Sequence, residues 1–448
     1  MATANLSRTM GTATNRNIFT LSMWVKMSKT GSDLNDYQFC DFFVSGSIRI
    51  SLYHNDDDTL RCHMEGGGSY TNNLFTTNAK LRDTNAWYHL VWRFDTTQAT
   101  ASDRIRLYIN GELATFSDYN PPAQNFNLQQ GTSSYTQYLG RYGGATDNNF
   151  DGQMAHVHFT DGYSYAASTF GETDATTGIW KPKTAPSVTY GNNGFFLKFE
   201  NSGAMGTDSA GSNNFAVNGT MTKLIDTPSN VFATWNLLFP QSQYGTYTNG
   251  NTSVIGNNNT YASRTNSTLA ASSGKYYMEF KIIDVQGSSY PGVGMISTEN
   301  AMVDGQVGGA ANSVSYRAGG TILTNGSVTA TENSYTDNDI IGVAMDLDNG
   351  AVYFHKNGTY QNNGNPTSGA SKTGSLYSFT PGTDTYHFGC TLYQADSELS
   401  ANFGNGYFGT TAVSSAQNPD DGIGIFEYDV PAGYRALCTK SINEQEYS

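Results

Sequence analysis

Ala86-Trp-Tyr-His-Leu-Val-Trp-Arg-Phe-Asp95 decides the fold class. In an extended chain Tyr88, Leu90, Trp92 and Phe94 point one way, and Trp87, His89, Val91 and Arg93 the other. A period-two split of this kind marks a β-strand with one buried face. Arg104-Ile-Arg-Leu-Tyr-Ile109 follows with the same alternation. It closes on Asn110-Gly111, a dipeptide that suits the positive φ of a tight hairpin turn.

The pattern extends both ways from there. Upstream, 19–26 sets Phe19, Leu21, Met23 and Val25 on one face, and 38–44, 47–53 and 59–64 read as further strands. Downstream come 136–140, 152–159 and 194–200. Residues 160–186 read as an appended loop or short helix, and 201–222 as a Gly/Ser/Asn-rich surface excursion. After Asp226-Thr-Pro-Ser-Asn230 the pattern restarts with strands at 275–283, 292–296, 339–346, 351–356, 386–392 and 399–404. No stretch holds a 3.6-residue apolar repeat over several turns. The expected fold is all-β, with two antiparallel β-sandwiches (jelly rolls) in tandem. Its parts are an N-terminal segment 1–17, a sandwich over 18–225, a second over 226–408 and a C-terminal extension 409–448. The two end segments are the candidate anchoring pieces.

Composition agrees. The 448 residues are long for one sandwich and ample for two. Charged residues are only 14%, so Asn, Ser, Thr and Gly carry solubility. A net charge of −14 lacks the clustered Lys and Arg that nucleic acid or an anionic membrane demands. No apolar run nears the roughly 20 residues of a membrane span. The expected partners therefore include neither nucleic acid nor membrane.

The cysteines are Cys40, Cys62, Cys390 and Cys438. If 37–44, 48–53 and 59–64 form a meander, Cys40 and Cys62 flank its middle strand roughly 9–10 Å apart. A disulfide needs Cα atoms within about 7 Å, so free thiols are expected there. Cys390 and Cys438 have nothing in the sequence that fixes whether they meet. His89, His156 and His158 suggest three zinc ligands on one sheet, but three polar residues on a wetted sheet face is the preferred reading.

Two family resemblances rest on these residues. Phe19 to Lys26, Trp87-Tyr-His-Leu-Val-Trp92, Leu107-Tyr-Ile-Asn-Gly111 and Phe150-Asp-Gly152 leading into 154–159 make 18–200 similar to a concanavalin A-like jelly roll of LamG/pentraxin type. Gly274-Lys-Tyr-Tyr-Met-Glu279, the pair 339–346 and 351–358, and Asn402-Phe-Gly404 with Phe408 make 232–408 resemble a SPRY domain. The tandem, with Asp226-Thr-Pro-Ser-Asn-Val-Phe-Ala233 at its joint and Tyr428-Asp-Val-Pro-Ala-Gly-Tyr-Arg-Ala-Leu437 at its end, resembles structural proteins of marine bacteriophages.

That resemblance implies a fibre, knob or decoration protein on the virion surface; attachment to a host surface glycan or protein, without catalytic activity, is the expected role. Other virion proteins are its implied partners, and a homo-oligomer, a trimer, its implied state. The opening residues Met-Ala-Thr-Ala-Asn-Leu-Ser-Arg carry no basic-then-apolar secretory pattern. The expectation is assembly in the host cytoplasm and release by lysis. A free carbohydrate-binding lectin is the alternative.

The LamG resemblance also implies calcium as the candidate cofactor, held at the sandwich rim by Asp103, Asp147 and Asp151. The competing reading makes these turn aspartates that bond their own backbone. Tyr135, Tyr138, Tyr142, Tyr290 and Tyr316 are the candidate ligand-contacting aromatics of the loops. A glycoside hydrolase needs two carboxylates roughly 5 Å apart. The nearest approach, Glu279-Phe-Lys-Ile-Ile-Asp284, puts its acids on opposite faces of one strand, which disfavours an enzyme.

Overall fold

The computed structural model describes residues 4–31, 37–45, 48–66, 73–128, 135–145, 149–260, 262–288, 290–301 and 305–446. These divide into two compact units, 1–223 with 227–229 and 224–226 with 230–448. Both are built of antiparallel sheets, as the period-two reading requires.

In the first unit an eight-stranded sheet runs in the order Phe116–Tyr119, Asn73–Lys80, Thr59–Gly66, Ile48–His54, Tyr37–Ser45, Thr136–Leu139, Asn5–Thr9 and Ala216–Asn218. A six-stranded sheet runs Phe195–Leu197, Gly152–Asp161, Ile18–Met27, Tyr88–Asp95, Ile105–Ile109 and Glu112–Leu113. Register places Leu21 opposite Trp92 and Met23 opposite Leu90. These side chains share one core with Phe42, Ile50, Leu52 and Phe75 of the other sheet. Each such burial contributes about 1.5–3 kcal/mol. Cys40 and Cys62 both stand opposite Leu52, one on each side of the middle strand. All four cysteines are buried free thiols.

Four expectations need correction here. The segment 1–17 is no appendage, because Asn5–Thr9 pairs with Thr136–Leu139 on one side and Ala216–Asn218 on the other. The supposed excursion 201–222 thus supplies an edge strand. Residues 160–186 form a 3-10 turn, Ala167–Thr169, and a hairpin of Gly171–Thr173 with Trp180–Pro182. That hairpin covers the outside of the six-stranded sheet, with Phe170, Trp180 and Val91 in one small cluster. The face beneath it is therefore not wetted. His89 is fully buried, stacks on Trp24 and accepts the Trp180 indole N–H at 3.0 Å. His158 is buried against Phe196 and bonds the Tyr190 hydroxyl at 2.9 Å.

In the second unit one sheet runs Gly245–Thr248, Ser253–Gly256, Glu398–Asn402, Lys275–Asp284, Ile340–Asp346, Ala351–Lys356 and Thr359–Tyr360. The other runs Ser263–Asn266, Tyr386–Leu392, Gly292–Ser297, Ser313–Arg317, Thr321–Thr324 and Ser327–Thr331. Trp235, Met278, Phe280, Val343, Phe354 and Phe388 fill the core.

The extension 409–448 is part of this unit. Arg435–Ala436 pairs in parallel with Lys275–Asp284. Phe426, Tyr434, Ala436 and Cys438 pack on Tyr277 and Tyr353, away from the main core. Burial of that order argues against a free anchoring tail. No helix among the described residues is long and apolar enough to cross a membrane.

Candidate functional site

Gly292 stands at one end of the six-stranded sheet of the second unit, opposite Arg317 on one side and Thr391 on the other. This register carries three loop-end side chains to the same place: Tyr290 just before Gly292, Arg317 at its strand end, and Tyr393 just after Leu392. A Cβ on Gly292 would lie 2.3 Å from the Ser315 hydroxyl, a side-chain end that can turn aside, and 3.5 Å from the Tyr316 carbonyl oxygen. Tyr290 is 49% exposed and Tyr393 39%, although tyrosines here are otherwise mostly covered. Their ring centroids are 5.4 Å apart, and the Arg317 guanidinium lies 5.6 Å from the Tyr290 ring. Arg317 also donates to Gln306 Oε1 at 2.7 Å. An exposed aromatic pair braced by a cation and an amide offers stacking and hydrogen bonding together.

The first unit has a second, better-covered surface. Alternation turns Asp41, Phe43, Arg49, His63, Glu65 and Tyr138 to the outside of the eight-stranded sheet. The loop 140–145 folds over them. Gly143 N–H donates to Asp41 at 2.8 Å, and Ser51 donates to its other oxygen at 2.8 Å. Burial nonetheless pushes the Asp41 carboxyl up to about 6. Tyr142 sits edge-on to Phe43 and 4.9 Å from the Arg49 guanidinium. Arg49 in turn pairs with Glu65 at 3.3 Å and bonds His63 at 3.0 Å.

The sequence candidates separate accordingly. Tyr290 is exposed at the sheet end, and Tyr138 and Tyr142 share the outer face of the eight-stranded sheet. Tyr135 is only 5% exposed, and Tyr316 is 0% exposed in the core, edge-on to Tyr335 and Phe354. Neither of these two reaches a ligand. Tyr393 and Arg317 escaped the sequence reading. Only their register to Gly292 reveals them.

The calcium set also comes apart. Asp147 lies outside the described residues. Asp103 belongs to the end where Asp95 meets Ile18, and Asp151 to the end where Gly152 meets Met27. The ten-residue strand between those ends spans roughly 30 Å. Asp103 is also paired with Arg106 at 2.5 Å. One cation cannot use both aspartates, and no three His, Cys, Asp or Glu among the described residues are grouped to hold a metal.

Residues 3–168 match the Concanavalin A-like lectin/glucanases superfamily, and residues 275–381 match the SPRY domain. The chain carries a concanavalin A-like domain followed by a SPRY domain. Among solved structures, the SPRY domain of human HERC1 is 17% identical over 37% of this chain and 96% of that one, with a TM-score of 0.30. A human SPRY domain is 17% identical over 35% and 94%, with a TM-score of 0.28. The TRIM65 PSpry domain is 11% identical over 38% and 91%, with a TM-score of 0.29. None of the curated proteins compared with the chain is similar to it. Among the described residues of the SPRY domain, Tyr290 and Tyr393 are the tyrosines exposed to solvent, whereas Tyr138 and Tyr142 of the concanavalin A-like domain are half-buried.

Proposed function

We propose that this protein is a non-catalytic binding protein of a bacteriophage particle surface, engaging a host glycan through the SPRY cluster of Tyr290, Tyr393 and Arg317. The observation that carries the binding role is the exposed, cation-braced aromatic pair itself. Isolated exposed tyrosines are ordinary; two in contact at a loop end, beside an arginine, are costly to leave in water without a use. The particle setting draws on the resemblance of the tandem to phage structural proteins and on a composition rich in Asn, Ser, Thr and Gly. A particle surface also fits an oligomer that presents several weak sites at once.

Neither Glu279 nor the Asp41 and Glu65 pair is placed as glycosidase carboxylates are. Glu279 is buried and holds backbone amides rather than a cleft. On the outer face of the eight-stranded sheet, Asp41 and Glu65 lie two strand spacings and two residues apart, roughly 12 Å. Glycosidase pairs keep to about 5 or about 6.5–9.5 Å.

A glycan array with the wild type, Tyr290→Ala and Arg317→Ala tests the site. Each substitution is expected to weaken binding about tenfold or more, equivalent to about 1.4 kcal/mol. Unchanged array profiles remove the site. Mass spectrometry of purified particles tests the setting: recovery of the chain supports it, while strong soluble sugar binding without particle association favours a free lectin.

A further inference from the structure

The C-terminal stretch does more than close the SPRY domain. Where it returns to the start of strand Lys275–Asp284 it leaves an open pocket of about 260 Å³. Residues distant in sequence meet there: Lys275, Asp348 from the 346–351 turn, Asp420 and Asp421, Arg435, and Gln445 of the terminal helix. We infer that this pocket is a binding site for a single neutral polyhydroxyl ring, a hexose-sized sugar unit, separate from the aromatic cluster.

The hydrogen-bonding inventory leads to that class. Each aspartate spends one oxygen on the protein's own backbone. Asp348 Oδ1 accepts Gly274 N–H at 2.7 Å, Asp420 Oδ2 accepts Gly433 N–H at 2.9 Å, and Asp421 Oδ1 accepts Ile423 N–H at 2.9 Å. Their orientation is thereby fixed while the second oxygen of each is left for another donor. Asp421 Oδ2 is buried without a hydrogen bond, with Arg435 Nη1 standing 3.8 Å away. That long ion pair leaves room for a closer donor.

The cations are likewise only half used. Lys275 Nζ faces Asp346 at 3.2 Å, and Arg435 Nη1 is held by Glu444. An ammonium has three donors and a guanidinium five, so both retain N–H groups.

Charge then selects among ligands. Carboxylates outnumber cations around the pocket, which disfavours an anion. A compact cation would meet Lys275 and Arg435 as well as the aspartates. The aspartates themselves do not gather into a metal-holding group. A vicinal diol satisfies both sets, since each hydroxyl donates to a carboxylate and accepts from an N–H. The volume is just below the roughly 300–1,000 Å³ of ordinary ligand pockets, which suits one ring rather than a chain.

Isothermal titration of the full-length protein with glucose, galactose, mannose and N-acetylglucosamine tests this. Asp420→Asn keeps the acceptor for Gly433 N–H but removes the charge, and Gln445→Trp fills the pocket from its rim. Binding of at least one sugar, weakened tenfold or more by both substitutions at an unchanged melting temperature, is the expected result. The inference is overturned if none of the four sugars binds, if binding survives Gln445→Trp, or if only methylammonium or calcium binds. It is also overturned if the sugar signal is lost in Tyr290→Ala yet kept in both pocket variants, which would assign it to the aromatic cluster. Failure of the array variants with the pocket intact would instead count against the cluster alone.

Discussion

Glu279 is wholly buried, and the donors its carboxylate meets are neutral: Tyr277 hydroxyl at 3.0 Å, the backbone N–H of Glu427 and of Tyr428 at 2.8 Å each, and Asn402 at 3.3 Å. Tyr277 in turn bonds His355 Nε2 at 2.6 Å, whose Nδ1 accepts Gly358 N–H at 3.1 Å. This chain fastens the C-terminal stretch to the sheet. Burial pushes Glu279 up to about 7, against hydrogen bonds that act to lower it. With an unfolded value near 4.5, the folded state holds the proton more tightly. The resulting stability is fully present below about 4.5 and is lost as pH rises through about 7. The protection of the Glu427 and Tyr428 amides, relative to the base-catalysed exchange of a free amide, should therefore fall between about pH 5 and about pH 8. Glu279→Gln should flatten that dependence, because it removes the titration, and should cost about 1–3 kcal/mol through its misplaced amide donor. An unchanged slope in the variant would assign the effect to another group.

At the scale of elements, the segment over Gly171–Thr173 and Trp180–Pro182 shows what a sequence conceals. Long alternating strands such as 19–26 and 88–95 were legible because one face is apolar throughout. That Cys40 and Cys62 flank a middle strand followed from strand spacing alone. Asn5–Thr9 and Ala216–Asn218 were not legible, because short polar strands gain their order from neighbours across the sheet rather than from their own pattern. The hairpin was missed for the same reason, and with it the cover over His89. Of the candidate site, Tyr290 was legible as a loop aromatic. Tyr316 was misjudged as a loop residue because Ser313–Arg317, a short strand with serine at alternate positions, was not legible as a strand.

The cover has a measurable consequence. Burial holds His89 down at about 3, with His156 adding to the shift. A histidine lowered in this way adds stability above its unfolded value near 6.5, and that stability is lost as pH falls toward about 3. Trp180→Ala opens the cover. It should move the His89 titration, followed by NMR, back toward about 6.5, while costing the concanavalin A-like domain about 2–4 kcal/mol. A His89 titration that stays put would mean the sheet itself, not the hairpin, excludes water.

For the molecule as a whole, the four thiols are buried and desolvation raises each of them, so the native chain should react slowly with a thiol reagent and release all four on denaturation. Fast reaction of any thiol at native pH would contradict that burial.

The cores themselves are distinct. Leu21 packs in a cluster built from the first unit, and Phe280 in one built from the second. A cavity is felt by the side chains that line it, and a large-to-small change at a fully buried site costs about 3–5 kcal/mol. Calorimetry of the full chain should then show Leu21→Ala lowering one transition and Phe280→Ala the other. Each should leave its counterpart within about 0.5 kcal/mol, because sites without shared partners add independently. If either substitution moves both transitions together, the two sandwiches unfold as a single cooperative body. Stability would then be a property of the tandem rather than of each domain.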